Sequence, residues 1–345
     1  MRCKPSFLCG ALLAAAALAA GWVDTARAGD KQIVIGLSQR RVAGSDWWKT
    51  LIAGITTEGQ RLGVKVLVSD AGGDTVRQNA DVQTFITRDV DGVIMNANDP
   101  RGVSSSVMAL KRAGIPLVEV NSNLDPSLAP DTYCYVAEDQ VATGAKAGKI
   151  IAQEVAERFK PSETIKLAII GGYPGDVISD LRKQGFLEGY NGYFAHHPGP
   201  KTVVLPMRYG HWLPDQALGP MRDIATANPD LRVVFSESDV MQAGIEQGLK
   251  QAGIWNHILE GSYDGQMSTV KEMLDDPNGP IRADASNQPW DQGVEAMKMI
   301  VAAVKKEPQA SVCPGGTQYI DTVVVTPQNA KEYYHADETY IRAGS

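Results

Sequence analysis

Short apolar runs alternate with stretches of helical periodicity along most of the chain, the pattern of a parallel sheet covered by helices. The first runs are QIVIGLS (32–38), VKVLVSD (64–70), VDGVIMNAND (90–99), IPLVEVNSN (115–123) and TYCYVAED (132–139). Helical patterns lie between or after them near 47–62, 75–88, 101–113 and 141–159. The rhythm then restarts with TIKLAIIGG (164–172), KTVVLPM (201–207), LRVVFSESD (231–239), HILEGSYD (257–264) and IRADASNQP (281–289). The spacing predicts an α/β protein of two halves that repeat an architecture and not a set of residues.

Strands buried on both faces read as continuous Val/Ile/Leu runs, and these mostly do. Their ends do not: Ser38, Asn96, Asn98, Asp99, Asn121, Asn123, Ser236, Ser238, Asp239, Asp264 and Asn287 fall at or just past the carboxyl end of a run. Ligands of open parallel sheets sit outside those ends. Asn, Asp and Ser are also ordinary turn formers and helix caps there, so each taken singly reads as a cap. As a set recurring in both halves, some of them are expected to be contacts.

The amino terminus changes the picture of where the protein works. Arg2 and Lys4 precede an apolar stretch from Phe7 to Ala20, and Ala26-Arg27-Ala28 has the small-x-small form of a cleavage site. Residues 1–28 read as a signal peptide and 317 of the 345 residues as the mature chain, enough for two domains. Cys9 follows Leu8 inside the apolar stretch, which argues against lipidation. Removing Arg2, Lys4, Arg27 and Asp24, net +2, from the chain's −7 leaves −9. That balance disfavours nucleic acid and anionic membranes as partners and suits a small neutral solute. Of the 4 cysteines, Cys134 and Cys313 survive maturation. An oxidising compartment favours one bridge between them, worth on the order of 4 kcal/mol in the chain-entropy model; the alternative is two buried thiols.

Chemistry is scarce. No nucleophile elbow, zinc-helix motif or phosphate loop is present, and GGYPGD (171–176) lacks the glycine spacing of a dinucleotide fingerprint. His196 and His197 sit together in a turn-like AHHPGP. No catalytic residue, metal ligand or cofactor is therefore assigned. A binder's inventory stands out instead, beginning with SDWW (45–48). Neighbouring helical residues point about 100° apart, so both tryptophans cannot sit on the centre line of one core stripe. Trp48 joins Leu51, Ile52, Ile55 and Leu62 in that stripe; Trp47 falls off it and is expected to line a cleft, with Trp48 contributing an edge. Sugars offer C–H faces to such rings and hydroxyls to Asp, Asn and Arg.

The order of these pieces resembles the type I periplasmic sugar-binding proteins of ABC importers, the ribose-binding protein group. The matches are IVIGLS…SDWWKTLIAG, AEDQVATGAKAGKIIA (137–152), DVISDLRKQGFLEGY (176–190), NPDLRVVFSESDVMQAG (228–244), YDG (263–265) and NQPWDQG (287–293). The resemblance implies two doubly wound, Rossmann-like lobes joined by a three-segment hinge. The first lobe would hold 29–136 and 289–312, the second 137–288 and 313–345, with crossings near Val136–Glu138, Ser262–Tyr263 and Asn287–Pro289. It implies a ligand site of Ser38, Trp47, Trp48 and Asn121 from the first lobe with Arg182, Trp212, Ser238, Asp239, Asp264 and Asn287 from the second. Where the family has an Asp-Arg pair this chain has Asn121-Ser122, and its longer loop between Ser38 and Trp47 carries Arg40 and Arg41. Ribose is therefore not singled out among pentoses, hexoses and acyclic polyols.

The expected function is a periplasmic solute-binding protein, a monomer and not an enzyme, that closes on a small polyhydroxylated ligand and hands it to ABC permease subunits. A sensor reporting to a chemoreceptor or histidine kinase uses the same lobes and is an alternative. A carbohydrate-active enzyme on two doubly wound domains is the alternative from another class.

Overall fold

In the computed structural model, which describes residues 31–343, the apolar runs become strands of two separate sheets. The expected signal peptide, residues 1–28, lies outside the described residues. The chain begins with β1 (Val34–Gln39), α1 (Asp46–Arg61), β2 (Lys65–Asp70), α2 (Thr75–Thr87), β3 (Gly92–Asn96), α3 (Ser104–Ala113), β4 (Leu117–Val120) and β5 (Cys134–Ala137). It continues with α4 (Gln140–Arg158), β6 (Thr164–Gly171), α5 (Val177–Phe194), β7 (Lys201–Val204), β8 (Arg208–Tyr209), α6 (Pro214–Ala227) and β9 (Leu231–Ser236). Then come α7 (Gln242–Gln251), β10 (Leu259–Asp264), α8 (Met267–Asp275), β11 (Ile281–Ser286), α9 (Pro289–Val304), α10 (Gln309–Val312), β12 (Thr317–Tyr319), β13 (Val324–Val325) and α11 (Ala330–Tyr333).

The first sheet has the order β12-β5-β4-β3-β1-β2 and the second β13-β11-β10-β9-β6-β7, with β8 on β6. All pairings are parallel except β13 on β11. Every residue of β3, β4, β5, β10 and β11 is buried, although β10 (LEGSYD) and β11 (IRADAS) bring Glu260, Asp264, Arg282 and Asp284 inside with the apolar residues. Of the polar strand ends, Asp99 and Ser238 accept the backbone N–H of Arg101 and Val240, as turn and cap residues do, while separate residues, Ser45, Asp74, Asp139 and Asp176, cap α1, α2, α4 and α5. Close helix contact is built in as well. A Cβ on Gly148 of α4 would lie 2.0 Å from the Phe186 carbonyl oxygen of α5, so only glycine permits that approach.

The chain passes between the sheets after β5, after β11 and between β12 and β13. Two of these passages fall at the expected Val136–Glu138 and Asn287–Pro289. The third does not: Ser262 and Tyr263 are interior residues of β10, and the passage lies at 320–323. The boundary at 313 shifts with it, because Thr317 pairs with Tyr135 and the first sheet keeps the chain through Tyr319. Covalent and hydrogen-bond ties hold that segment there: Cys313 is bridged to Cys134 of β5, and Gln309 Nε2 donates to the Tyr133 carbonyl at 2.7 Å. Both ends of the disulfide thus belong to the first lobe.

Candidate functional site

Between the carboxyl edges of the two sheets lies a cavity lined by both lobes. Arg40, Ser45, Trp47, Trp48 and Asn121 line it from the first lobe. Ile178, Arg182, Trp212, Ser238, Val240 and Asp264 line it from the second.

Both tryptophans of SDWW reach it. Ser45 caps α1, its hydroxyl accepting from the Trp47 N–H at 3.1 Å, so the two indoles occupy the first helical turn, beside the strand edge. They are 6% exposed each. The Trp47 Nε1–H donates to Asn287 Oδ1 at 3.1 Å, which fixes the ring. Trp48 lies under the Arg41 guanidinium, 5.8 Å from the ring centre. Trp48 packs in the core and also lines the cavity, and Trp47, expected off the core stripe, joins the core cluster as well as lining the cavity. Helical periodicity assigns faces relative to the helix axis, and at a helix end the cavity adjoins more than one of them.

Trp212 closes the opposite wall. It follows His211, both in the left-handed region at φ 58° and 54°, and its Nε1–H donates to Asp176 Oδ2 at 3.2 Å. The ring sits where a Cβ on Gly172 would be, 1.9 Å from Trp212 Cε2, so glycine there makes the room. Asn121 and Asp264 also carry positive φ, 62° and 126°. Non-glycine backbone in that region costs of order 1–3 kcal/mol per residue and gathers at ligand sites. The Asn121 Oδ1 is buried and has no hydrogen-bond partner in the protein.

Arg182 is the most heavily tied group. Its Nε–H donates to Gln140 Oε1 at 2.8 Å and its Nη1 to Asp264 Oδ1 at 3.0 Å and to the Glu237 carbonyl. Its guanidinium lies over the Tyr263 ring at 3.9 Å. Burial pulls its pKa down, but Asp264, Tyr263 and Glu138 outweigh that and hold it charged. Burial raises the Asp264 carboxyl, while Arg182 and the Ser238 hydroxyl, which donates to Asp264 Oδ2, pull it back. Across the cleft Arg40 Nη2 reaches Asp176 Oδ2 at 3.5 Å, both side chains 7% exposed. Each cavity guanidinium thus faces a carboxylate, and the lining presents indole faces, amide, hydroxyl and paired charge.

Of the expected set, Trp47, Trp48, Asn121, Arg182, Trp212, Ser238 and Asp264 come together here. Ser38, Asp239 and Asn287 stand behind the lining. The Ser38 hydroxyl accepts from Gln78 Nε2 at 3.2 Å. Asp239 accepts from Ser262 Oγ and from the Gln266 N–H at 2.8 Å, and burial raises its carboxyl to about 7. Asn287 is committed to Trp47 and to Glu138. Arg40, Ser45, Ile178 and Val240 were not among the expected contacts. The lengthened loop before Trp47 was the visible signal for Arg40; the two apolar residues gave none, since each sits in the first turn after a polar cap. Among the described residues no cluster of metal-ligating side chains occurs and no helix is long and apolar enough to cross a membrane.

A family model for the periplasmic binding protein domain matches residues 35–308. The ribose import binding protein RbsB of Bacillus subtilis is 26% identical over 74% of this chain and 77% of its own length. The D-apiose import binding protein of Actinobacillus succinogenes is 27% identical over 83% and 86%. A solved ABC transporter solute-binding protein from Mycobacterium smegmatis, with bound glycerol, superposes with a TM-score of 0.78 at 26% identity, covering 90% of this chain and 99% of that one. The two parallel-sheet lobes are the type I arrangement of such proteins, and with the family match spanning most of its length the chain belongs to the periplasmic binding protein domain family.

Proposed function

We propose that this protein is the periplasmic solute-binding component of an ABC importer, capturing a small, uncharged sugar or polyol between its lobes and delivering it to the permease. The observation that carries this reading is the cavity walled by Trp47, Trp48 and Trp212, with each of its guanidiniums matched by a carboxylate. Indole faces suit the C–H surfaces of a polyol, and fixed, paired charges offer hydrogen bonds to hydroxyls without asking the ligand to carry a charge. Relatives named for ribose and apiose import, and the glycerol-bound neighbour, support the same class.

In this reading Trp47, Trp48 and Trp212 pack on the ligand while Asn121, Arg182, Ser238 and Asp264 bond its hydroxyls, Asn121 through its unpartnered Oδ1. The lobes hinge about the three passages, and contacts drawn from both lobes make the ligand favour the closed state. The protein is exported after cleavage near Ala28 and acts as a monomer in an oxidising compartment, where the bridge between Cys134 and Cys313 persists.

A thermal-shift panel of pentoses, hexoses and acyclic polyols on the mature protein, with each compound analysed afterwards, tests this. A rise in melting temperature for one narrow class, with the compound recovered intact, is expected. Conversion of a compound supports an enzyme instead, and a response confined to charged solutes contradicts the neutral-ligand assignment.

A further inference from the structure

One buried carboxylate belongs neither to the cavity lining nor to the core, yet both lobes' ligand-facing groups lead to it. Glu138, fully buried, lies in the first passage, between β5 and α4. Its Oε1 accepts from Asn287 Nδ2 in the second passage at 2.7 Å, and its Oε2 from Gln292 Nε2 of α9 at 2.9 Å. Arg182 Nη2 of the second lobe stands 3.6 Å from Oε1, and the Tyr263 hydroxyl donates to it at 3.5 Å. Asn287 in turn accepts the Trp47 indole N–H. An unbroken line of contacts therefore runs from Trp47 of the first lobe through Asn287 and Glu138 to Arg182 and Asp264 of the second.

We propose that Glu138 is a positioning residue: its carboxylate holds Arg182 directly, and Trp47 through Asn287, in the register the ligand requires, and the cleft loses that register when the carboxylate is protonated. The chemistry behind this is donor counting. Asn287 Nδ2 and Gln292 Nε2 each present an N–H, one to each carboxylate oxygen, and the Tyr263 hydroxyl presents a third donor, so a proton on the carboxyl adds a donor to a site already ringed by donors, neutralises the acceptor and weakens its hold on both amides. If Asn287 turns, the Trp47 indole loses its acceptor. Neutralising Glu138 also removes one of the negative charges that hold Arg182.

The charged and titratable groups facing Glu138 come from every element around it: Arg182 from α5, Tyr263 and Asp264 from β10, Tyr135 from β5 and Tyr319 from β12. Burial raises the Glu138 carboxyl to about 7, against the opposing pull of Arg182 and Gln292. A carboxyl so placed is charged above that pH and neutral below it, so acidification through neutrality breaks the register.

The proposal rests on the reading that Trp47 and Arg182 face the ligand, and its test needs no ligand, so a wrong sugar assignment leaves it standing. In nitrogen-15 spectra of the ligand-free mature protein, Trp47→Phe identifies the Trp47 indole N–H, which is then followed from about pH 5.5 to about pH 9. The wild-type resonance is expected to move sigmoidally with a midpoint near 7, and in Glu138→Gln to stay fixed across the range. Should Glu138→Gln not fold, Glu138→Asp is expected to titrate at a different midpoint. A wild-type resonance that does not move, a Glu138→Gln resonance that titrates like the wild type, or a Glu138→Asp midpoint equal to the wild type overturns the proposal.

Discussion

At the scale of single residues, the paired tryptophans carry the most. Their adjacency in the sequence signalled that a helix start was committed to something besides core, and periodicity placed Trp48 in the core with only an edge on the cleft and Trp47 off the core stripe. The geometry gives both rings cavity contact and burial. Replacing Trp47 or Trp48 with alanine is therefore expected to lower ligand affinity in each case, by roughly 1–3 kcal/mol. It should lower the melting temperature too, as calorimetric titration and thermal melts would show; an unchanged affinity in either variant removes that ring from the site. Arg40 tells the complementary story. A longer loop was visible in the sequence, whereas the partner Asp176 sits 136 residues further on and its role depends on tertiary placement. This ion pair joins the lobes across the cleft. Arg40→Gln and Asp176→Asn should each speed ligand release, and the double variant should be little worse than either, with a coupling of about 0.5–3 kcal/mol. Stopped-flow release rates decide it: additive effects mean that the pair does not act as a latch.

At the scale of elements, alternating apolar runs and helical patterns located nearly every strand, because residues buried on both faces leave a signal that survives without tertiary knowledge. The carboxyl-terminal segment was misplaced because its strands are short: β12 is three residues and β13 two, too brief to show a period. What anchors that segment is the disulfide, whose two cysteines lie 179 residues apart. In the chain-entropy model a loop of that length corresponds to about 5 kcal/mol, an upper figure for real proteins. Reduction, or Cys134→Ser with Cys313→Ser, should lower the melting temperature and loosen β12 first. Hydrogen exchange would locate the loss, and a melting temperature indifferent to reductant contradicts this role.

At the scale of the whole molecule, two lobes and a polar cleft were legible as a repeated rhythm with polar strand ends. Which polar ends were caps, which faced the cavity and which tied the passages together was not, since Ser, Asp and Asn serve all three uses. Buried carboxyls make the assembly respond to pH in a stated direction. Burial raises Glu138 and Asp239 to about 7 and Glu260 to about 8. A carboxyl raised on folding binds more protons in the native state than in the unfolded one between its two pKa values, so its contribution falls as pH rises through that window. The melting temperature is expected to climb as pH is lowered from about 8 to about 5. Melts across that range check it; a flat or opposite trend means that these groups are hydrated or ion-paired more strongly than the geometry indicates.

The central claim is that the cleft captures an intact, neutral polyhydroxylated ligand. Native mass spectrometry of the mature protein, incubated with an equimolar panel of pentoses, hexoses, acyclic polyols and their acidic counterparts, tests this most directly. One bound neutral compound per protein chain, with its mass unchanged, is the predicted result. Retention of an acidic compound over every neutral one, or release of a chemically altered compound, would contradict it.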